Sequence, residues 1–92
     1  ANVVRAQDRY EEAERLYREA LLIDEKTIGT EHPDYAIHMN NLAGVVEAQG
    51  RFEEAEGLYR EAVKITLDRL GPEHPNTTGI QANLDKLLAQ KP

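Results

Sequence analysis

The 92-residue sequence contains no cysteine and no tryptophan. Without cysteine the chain can form neither a disulfide nor a thiolate metal site, and this composition is typical of an intracellular protein, so we expect a cytoplasmic location. No apolar run approaches the roughly 18–20 residues of a membrane-spanning helix. No apolar signal-peptide core is present, and the chain starts with Ala1 instead of Met. We therefore expect a processed product or a piece of a longer protein.

Aromatic and basic side chains are also scarce. Four tyrosines and one phenylalanine favour thin layers of packed helices over a thick aromatic core. Lys and Arg number 11 against 17 Asp and Glu, which gives a net charge of −6 at pH 7. Nucleic acids and anionic membranes are bound through basic patches. The composition therefore predicts neither of them as a partner.

What the sequence has in abundance is repetition. The segment RYEEAERLYREA, residues 9–20, returns as RFEEAEGLYREA at residues 51–62. Over residues 9–33 and 51–75, 15 of the 25 aligned pairs are identical at a spacing of 42 residues. A fixed period of this size is typical of stacked repeat arrays, in which each unit covers the apolar face of its neighbour.

Each repeat is predicted to contain two helices. In residues 51–70 the apolar residues fall on one stripe at helical spacing, and the charged residues around them are expected to face water. This helix should end at Gly71, as its counterpart should end at Gly29, because glycine readily takes the left-handed conformation. The next helix should begin at Pro33 or Pro75, since proline suits the first helical position. The stripe consists of Ala55, Leu58, Tyr59, Ala62, Val63, Thr66 and Leu70.

The repeated Glu-His-Pro turn allows two interpretations. His32 and His74 are equivalent and should lie side by side, so they could share an ion with Glu31 and Glu73, but a shared turn is the simpler interpretation. His38 and the carboxylates are the other candidate catalytic groups. The sequence has no nucleophile-activating arrangement, phosphate-cradling glycine loop or HExxH motif. We therefore predict no enzyme, no metal and no cofactor.

The helix over residues 34–49 has two contrasting faces. One is a core stripe, and the opposite face is small and nearly uncharged, whereas a solvent-facing stripe normally carries Lys and Glu. Either neighbouring helices pack closely there, or the face lines a groove in which Asn41 bonds a peptide backbone, since an amide both donates and accepts. The core stripe is Tyr35, Met39, Leu42, Ala43 and Val46, and the opposite face is Ile37, Asn41, Gly44 and Ala48.

The motif M-x2-L-A-x2-V at residues 39–46, followed by A-x3-Y and a further Ala in residues 55–62, resembles the tetratricopeptide repeat signature. The 42-residue period, with NNLA, QGRFEEAE and LGPEHP, is similar to the kinesin light chain type of this repeat. The resemblance implies an all-α fold of antiparallel helix-turn-helix repeats, stacked in a right-handed superhelix. The first helix of each pair would line a concave groove.

The resemblance also implies a function and candidate site residues. In such arrays an asparagine of the first helix often contacts the main chain of an extended peptide, and Asn41 and Asn83 occupy that position. The implied function is a protein-interaction module with a protein or peptide partner. Only Arg5 and Lys86 oppose Glu47 in the groove, so the acidic-cargo specificity of kinesin light chains does not carry over. The candidate residues are Asn41, Asn83, Asn40, Ile37, Gly44, Glu47, Ala48, Lys86 and Arg5, with Gly79, Ala82, Gln90 and Asn2 as further positions.

The two ends of the chain differ from the middle. Ala1–Gln7 aligns with Ala43–Gln49, the latter part of a first helix. We therefore expect a partial first repeat over residues 1–29, made of half a first helix and a complete second helix. A second repeat over residues 33–71 and a C-terminal capping helix over residues 75–90 should follow.

The capping helix is predicted from three substitutions. Thr77, Gln81 and Asp85 stand at positions that carry core-stripe residues one repeat earlier, and a polar outer face is typical of a terminal cap. The N-terminal end, in contrast, should expose apolar surface, so homo-oligomerisation through this end is expected. The alternative function is therefore a self-assembly element that stacks or swaps with other copies or with the rest of its parent chain.

Overall fold

The computed structural model describes residues 6–90, and the side chains of residues 9–90. Over this part of the chain it contains four α-helices and no strand, which confirms the predicted all-helical class. The helices are α1 (Ala6–Thr27), α2 (Pro33–Ala48), α3 (Phe52–Leu70) and α4 (Pro75–Gln90). None of the helices in residues 6–90 combines the length and the apolar character needed to cross a membrane.

The helices α2 and α4 begin at the two prolines of the repeated turn, as predicted. His32 Nδ1 accepts a hydrogen bond from the backbone N of Asp34 at 3.0 Å, and His74 Nδ1 accepts one from Asn76 N at 3.1 Å. Each imidazole thus satisfies one of the free N–H groups of a helix N-terminus. Histidine is not among the favoured N-cap residues. The interpretation of the two histidines as parts of a shared turn is confirmed.

Glycines with positive φ follow the first three helices. The φ angles of Gly29, Gly50 and Gly71 are 86°, 85° and 89°. The predicted ends of α1 and α3 are confirmed: Gly29 N donates to Asp24 O at 2.7 Å, and Gly71 N donates to Leu67 O at 3.1 Å. These bonds satisfy carbonyl groups that the helices leave free at their C-termini.

The beginning of α1 differs from the repeat alignment. Alignment with Gln49, Gly50 and Arg51 places a turn near Asp8, but the helix runs without interruption from Ala6. Asp8 stands where glycine has positive φ one repeat later, and a β-carbon disfavours that conformation. The helix therefore continues through this point. The rest of the predicted half helix, with Asn2 and Arg5, lies outside the described residues.

The core is centred on α2, which packs against the other three helices. The predicted core stripe of α2 is confirmed, since four of its members are buried and Tyr35 packs partly buried against them. On α3 the predicted stripe is buried or partly buried throughout. On α2 and α3 the helical pattern missed two buried residues, Ala36 and Ile65. The buried members of the two stripes are Met39, Leu42, Ala43, Val46, Ala55, Tyr59, Ala62 and Thr66.

Some charged residues that we expected only to face water instead connect α1 to α3. Glu14 accepts hydrogen bonds from Arg51 Nη1 at 2.8 Å and Arg18 Nε at 2.9 Å. Glu54 accepts from Arg51 Nη2 at 2.6 Å and Arg18 Nη2 at 2.7 Å. We call these four residues the ionic cluster. The bond from Arg51, with help from Gln49 and Arg18, lowers the pKa of Glu14 from 4.5 to about 2. Arg18 and Arg51 also lower the pKa of Glu54.

Candidate functional site

Two adjoining clefts on α2 share the residues Asn40 and Asn83. The first, of about 320 Å³, lies between α2 and α4. The second, of about 350 Å³, lies between α1 and α2 and reaches Asn83 on α4. We call the two together the asparagine groove. Its lining consists of Tyr10, Tyr17, Ile37, Asn40, Asn41, Gly44, Val45, Tyr59, Pro75, Asn76, Gly79, Ile80 and Asn83.

Among the described residues, the lining of the asparagine groove carries no charged side chain. Its polar groups are four asparagine amides, Asn40, Asn41, Asn76 and Asn83, and tyrosine hydroxyls. An extended peptide presents one N–H donor and one C=O acceptor at almost every residue. Because each amide offers both an acceptor and two donors, the groove matches the hydrogen-bonding groups of a peptide backbone without selecting for charge.

Asn40 of α2 and Asn83 of α4 are hydrogen-bonded to each other, although they are not repeat equivalents. Asn83 Nδ2 donates a hydrogen bond to Asn40 Oδ1 at 3.0 Å, whereas the repeat equivalent of Asn83 is Asn41. This bond uses one donor of Asn83 and one acceptor position of Asn40. Oδ1 of Asn83 and Nδ2 of Asn40 have no hydrogen-bond partner among the described residues, so both remain free for a ligand.

The structure brings most of the predicted site residues together. Ile37, Gly44 and the three predicted asparagines line the asparagine groove, as does the further position Gly79. Ala48 and Lys86 are exposed but lie outside the lining. Ala82 lines a different cleft, between α3 and α4.

Glu47 fixes the position of a tyrosine in the groove lining, a role that the sequence does not indicate. Its Oε1 accepts a hydrogen bond from the Tyr59 hydroxyl at 3.1 Å. Burial, and secondarily this bond to the Glu47 carboxylate, raise the pKa of Tyr59, so the hydroxyl stays protonated as a donor. A β-carbon at Gly44 would lie 3.7 Å from the same hydroxyl, an ordinary contact distance. Glu47 thus fixes a tyrosine of the lining without itself being part of the lining.

Tyr10 and Tyr17 line the groove although the sequence analysis did not select them. Tyr17 is the repeat equivalent of Tyr59, which is buried. Because Tyr59 is a core residue, the repeat alignment favours a buried position for Tyr17. The feature that could have identified Tyr17 is its place on α1. The repeat alignment provides no helix within residues 6–90 that would cover Tyr17.

The remaining candidate catalytic groups form a structural pair. His38 Nδ1 is hydrogen-bonded to the carboxylate of Asp24, which is buried. The sequence contains neither serine nor cysteine that could act as a nucleophile beside this pair. Between residues 9 and 90, no group of three His, Cys, Asp or Glu side chains is arranged to hold a metal ion. What this pair can do chemically is hold α2 against α1.

Comparison with protein families gives one match. The family model described as tetratricopeptide repeat matches residues 1–68, which include α1, α2 and most of α3. None of the curated proteins compared with the sequence matches it.

Proposed function

Since the chain belongs to the tetratricopeptide repeat family, we propose that it binds an extended peptide segment of a partner protein in the asparagine groove. The family is generally a non-catalytic module for protein–protein interaction. The observation that carries the proposal is the uncharged lining of the groove, with asparagine groups left free for hydrogen bonds to a ligand.

The proposal includes a finer architecture. We take α2 and α4 as the first helices of successive repeats in a right-handed superhelix of the kinesin light chain type. The 42-residue period supports this assignment, and so does the position of the groove along these two helices. The concave surface would then follow the asparagine groove.

The lining also suggests which peptides would bind. Because no lining residue is charged, neither acidic nor basic side chains of a ligand gain an ion pair there. Affinity should come from main-chain hydrogen bonds and from apolar side chains that contact Ile37, Val45 and the tyrosines. Binding of this kind is only weakly affected by salt, because screening acts on charge–charge interactions.

A selection of random displayed peptides against the 92-residue chain would supply ligands for a direct test. We expect the combined substitution Asn41→Ala and Asn83→Ala to weaken binding of the selected peptides at least tenfold, which corresponds to about 1.4 kcal/mol. Lys86→Ala is the matched control, because this exposed residue of α4 lies outside the lining, and it should bind as the unmodified chain does. Unchanged binding by the asparagine variant would overturn the proposal.

A further inference from the structure

Large apolar side chains are exposed at two separate places in the described chain. On α1 they include Leu16 and Ile23, and near the other end they include Leu67 of α3 and Leu88 of α4. Ile23 is 60% exposed, whereas its repeat equivalent Ile65 is 3% exposed. At the other end the comparison holds for Leu88 and its buried equivalent Val46, but not for Leu67, whose equivalent Glu25 is exposed. The described helices thus leave uncovered at both ends positions that they cover in the middle.

The end formed by α3 and α4 has an open cleft of about 340 Å³. Val63, Leu67 and Pro72 supply apolar wall, and Leu88, near it on α4, is 40% exposed where its equivalent Val46 is fully buried. Thr77 also lines this cleft, and its hydroxyl is buried without a hydrogen-bond partner among residues 9–90. A buried hydroxyl without a partner is unfavourable. The α3–α4 cleft is therefore incomplete in both packing and hydrogen bonding.

The preceding repeat shows which kind of element completes such a cleft. The equivalents of Val63, Gln81 and Asp85 are Leu21, Met39 and Ala43, and all three are buried in the core to which α3 contributes. A second helix of the α3 type thus covers these positions inside the chain. The helix that most resembles α3 in the described residues is α1, because residues 9–20 and 51–62 carry nearly the same sequence.

We propose that two copies of this chain associate head to tail, with α1 of the second copy lying in the α3–α4 cleft of the first. Ile23 and Leu16 of the second copy would then become covered as Ile65 and Leu58 are covered inside one chain. This surface lies on different residues from the asparagine groove, so the proposal does not depend on the peptide-binding function.

Charge complementarity supports this occupant over an unrelated apolar helix. The ionic cluster joins Glu14 and Arg18 of one repeat to Arg51 and Glu54 of the next. On α3 the pair Glu56 and Arg60 repeats Glu14 and Arg18, with the same Nε–Oε2 distance of 2.9 Å.

The residues that would complete a second ionic cluster are on α1. Arg9 and Glu12 are the repeat equivalents of Arg51 and Glu54. When α1 of the second copy packs beside α4 of the first, Arg9 of the second copy would lie near Glu56 of the first, and Glu12 of the second copy near Arg60 of the first. All four charges of the internal cluster are therefore present again with the same signs.

A carboxylate of the second copy would also lie near the wall of the cleft that contains Thr77. Thr77 is the repeat equivalent of Tyr35, whose pKa is raised by burial first and also by nearby carboxylates, among them Glu61 of α3. Glu61 is equivalent to Glu19 of α1. Glu19 of the second copy would therefore approach this wall, as Glu61 approaches Tyr35 inside the chain.

Polar residues on α4 make the contact weak. Gln81 donates a hydrogen bond to Asp85 at 3.0 Å, and both line the α3–α4 cleft, where the sequence predicts a polar cap. Covering them removes water from a carboxylate and an amide, which costs free energy. The contact is also heterologous, so each added copy leaves one free end and the oligomers form an open series instead of a closed dimer.

Sedimentation equilibrium of the 92-residue chain tests the proposal, over concentrations from about 10 µM to about 1 mM, where weak association is populated. The average mass should rise with concentration. Ile23→Glu should weaken association at least tenfold. Leu22→Glu is the matched control, because Leu22 is the exposed neighbour on the same helix and its repeat equivalent, Lys64, is exposed as well; this variant should associate like the unmodified chain.

Mixing two variants distinguishes a head-to-tail contact from a symmetric one. Ile23→Glu blocks α1 and leaves the cleft intact, whereas Leu88→Glu, at the exposed equivalent of the buried Val46, blocks the α3–α4 end and leaves α1 intact. Each variant alone should be monomeric, and an equimolar mixture should form a complex of two chains that does not grow further. Circular dichroism would check that both variants are helical, as expected for substitutions at exposed positions.

Three results would overturn the proposal. They are a strict monomer over the whole concentration range, equal effects of Ile23→Glu and Leu22→Glu, and a mixture of the two blocked variants that stays monomeric. If Ile23→Glu were not helical, Arg9→Glu would take its place, since it should weaken association by removing the ion pair with Glu56. Peptide binding by Ile23→Glu, measured separately, would show whether the groove is affected.

Discussion

The side-chain nitrogen Nδ2 of Asn83 on α4 donates a hydrogen bond to the side-chain oxygen Oδ1 of Asn40 on α2, at 3.0 Å. The residue that the 42-residue repeat aligns with Asn83 is Asn41, one position further along α2. The two helices are therefore connected diagonally across the asparagine groove. A peptide in the groove would meet a paired amide at Asn40 and Asn83, and a separate amide at Asn41.

This geometry predicts a small and specific coupling between Asn40 and Asn83. Because water reaches both side chains, Asn40→Ala and Asn83→Ala should each lower the free energy of unfolding by less than about 1 kcal/mol. A double-mutant cycle from urea unfolding should give a coupling energy of about 0.5 kcal/mol. The control cycle uses Asn41→Ala with Asn83→Ala, which are not hydrogen-bonded to each other, and it should give no coupling. Equal coupling in both cycles would contradict the diagonal pairing.

The pair formed by Asp24 and His38 has a neutral counterpart one repeat later. The equivalent residues are Thr66 and Ile80, and both are buried. His38→Ile alone should destabilise the fold by about 2 kcal/mol, because the buried carboxylate of Asp24 loses its partner. Asp24→Thr alone should cost less, since water reaches His38. The double variant should return to within about 1 kcal/mol of the unmodified chain.

Urea unfolding of the four proteins in this series would measure these differences. The informative quantity is the departure of the double variant from the sum of the two single effects. Simple additivity would show that the two side chains do not depend on each other. It would also mean that the polar pair does not substitute for the apolar packing found in the next repeat.

The ionic cluster predicts a loss of stability in acid. The pKa of Glu14 is about 2 in the folded chain and 4.5 ordinarily, so its ionised form stabilises the fold. This contribution is complete above about pH 4.5 and is lost as the pH falls toward about 2. Glu14→Gln should lower the free energy of unfolding at neutral pH by about 1–2 kcal/mol, since its partner arginines remain partly in water. It should also make the acid loss less steep.

The measurement is a set of urea titrations at several pH values across this window. Glu53→Gln is the control, because Glu53 is an exposed carboxylate of α3 outside the ionic cluster. It should leave both the stability at neutral pH and the acid loss nearly unchanged. Parallel pH profiles for Glu14→Gln and the unmodified chain would show that the cluster does not contribute to acid sensitivity.

The cap of α4 predicts a difference between two substitutions at His74. His74→Ala removes the acceptor for the backbone N of Asn76 and should cost about 1 kcal/mol. His74→Asn replaces one acceptor by another at a position where asparagine is favoured, and it should keep or raise the stability. Thermal unfolding followed by circular dichroism would compare the two. Similar losses in both variants would mean that the ring of His74 contributes through packing instead of through the hydrogen bond.

The sequence was sufficient for the features that depend on local signals. Pro33 and Pro75 mark helix starts, and Gly29 and Gly71 mark helix ends, because these residues act on their own backbone. The core stripe of α2 follows from helical spacing alone. Helical spacing and the family resemblance together selected five residues that the structure places in the asparagine groove, among them Asn41 and Asn83.

What could not be predicted depends on how one helix approaches another. A repeat spacing gives equivalent positions along an array but not the tilt between α2 and α4, so it does not show that Asn83 contacts Asn40. Periodicity shows that Glu14 and Arg18 face outward, but not that Arg51 reaches Glu14 or that Arg18 reaches Glu54. The continuation of α1 through Asp8 depends on a single change from glycine, and a repeat alignment treats such a position as unchanged.

The central position of α2 has a consequence for the order in which the fold comes apart. The described helices pack mainly on their neighbours in sequence; α2 packs against all the others, whereas α3 reaches α1 through side chains of the ionic cluster. α1 can therefore detach while α2, α3 and α4 keep their mutual contacts, and α4 can detach without disturbing α1. Backbone amides of α2 should then exchange with deuterium most slowly, because their exposure requires the whole unit to open.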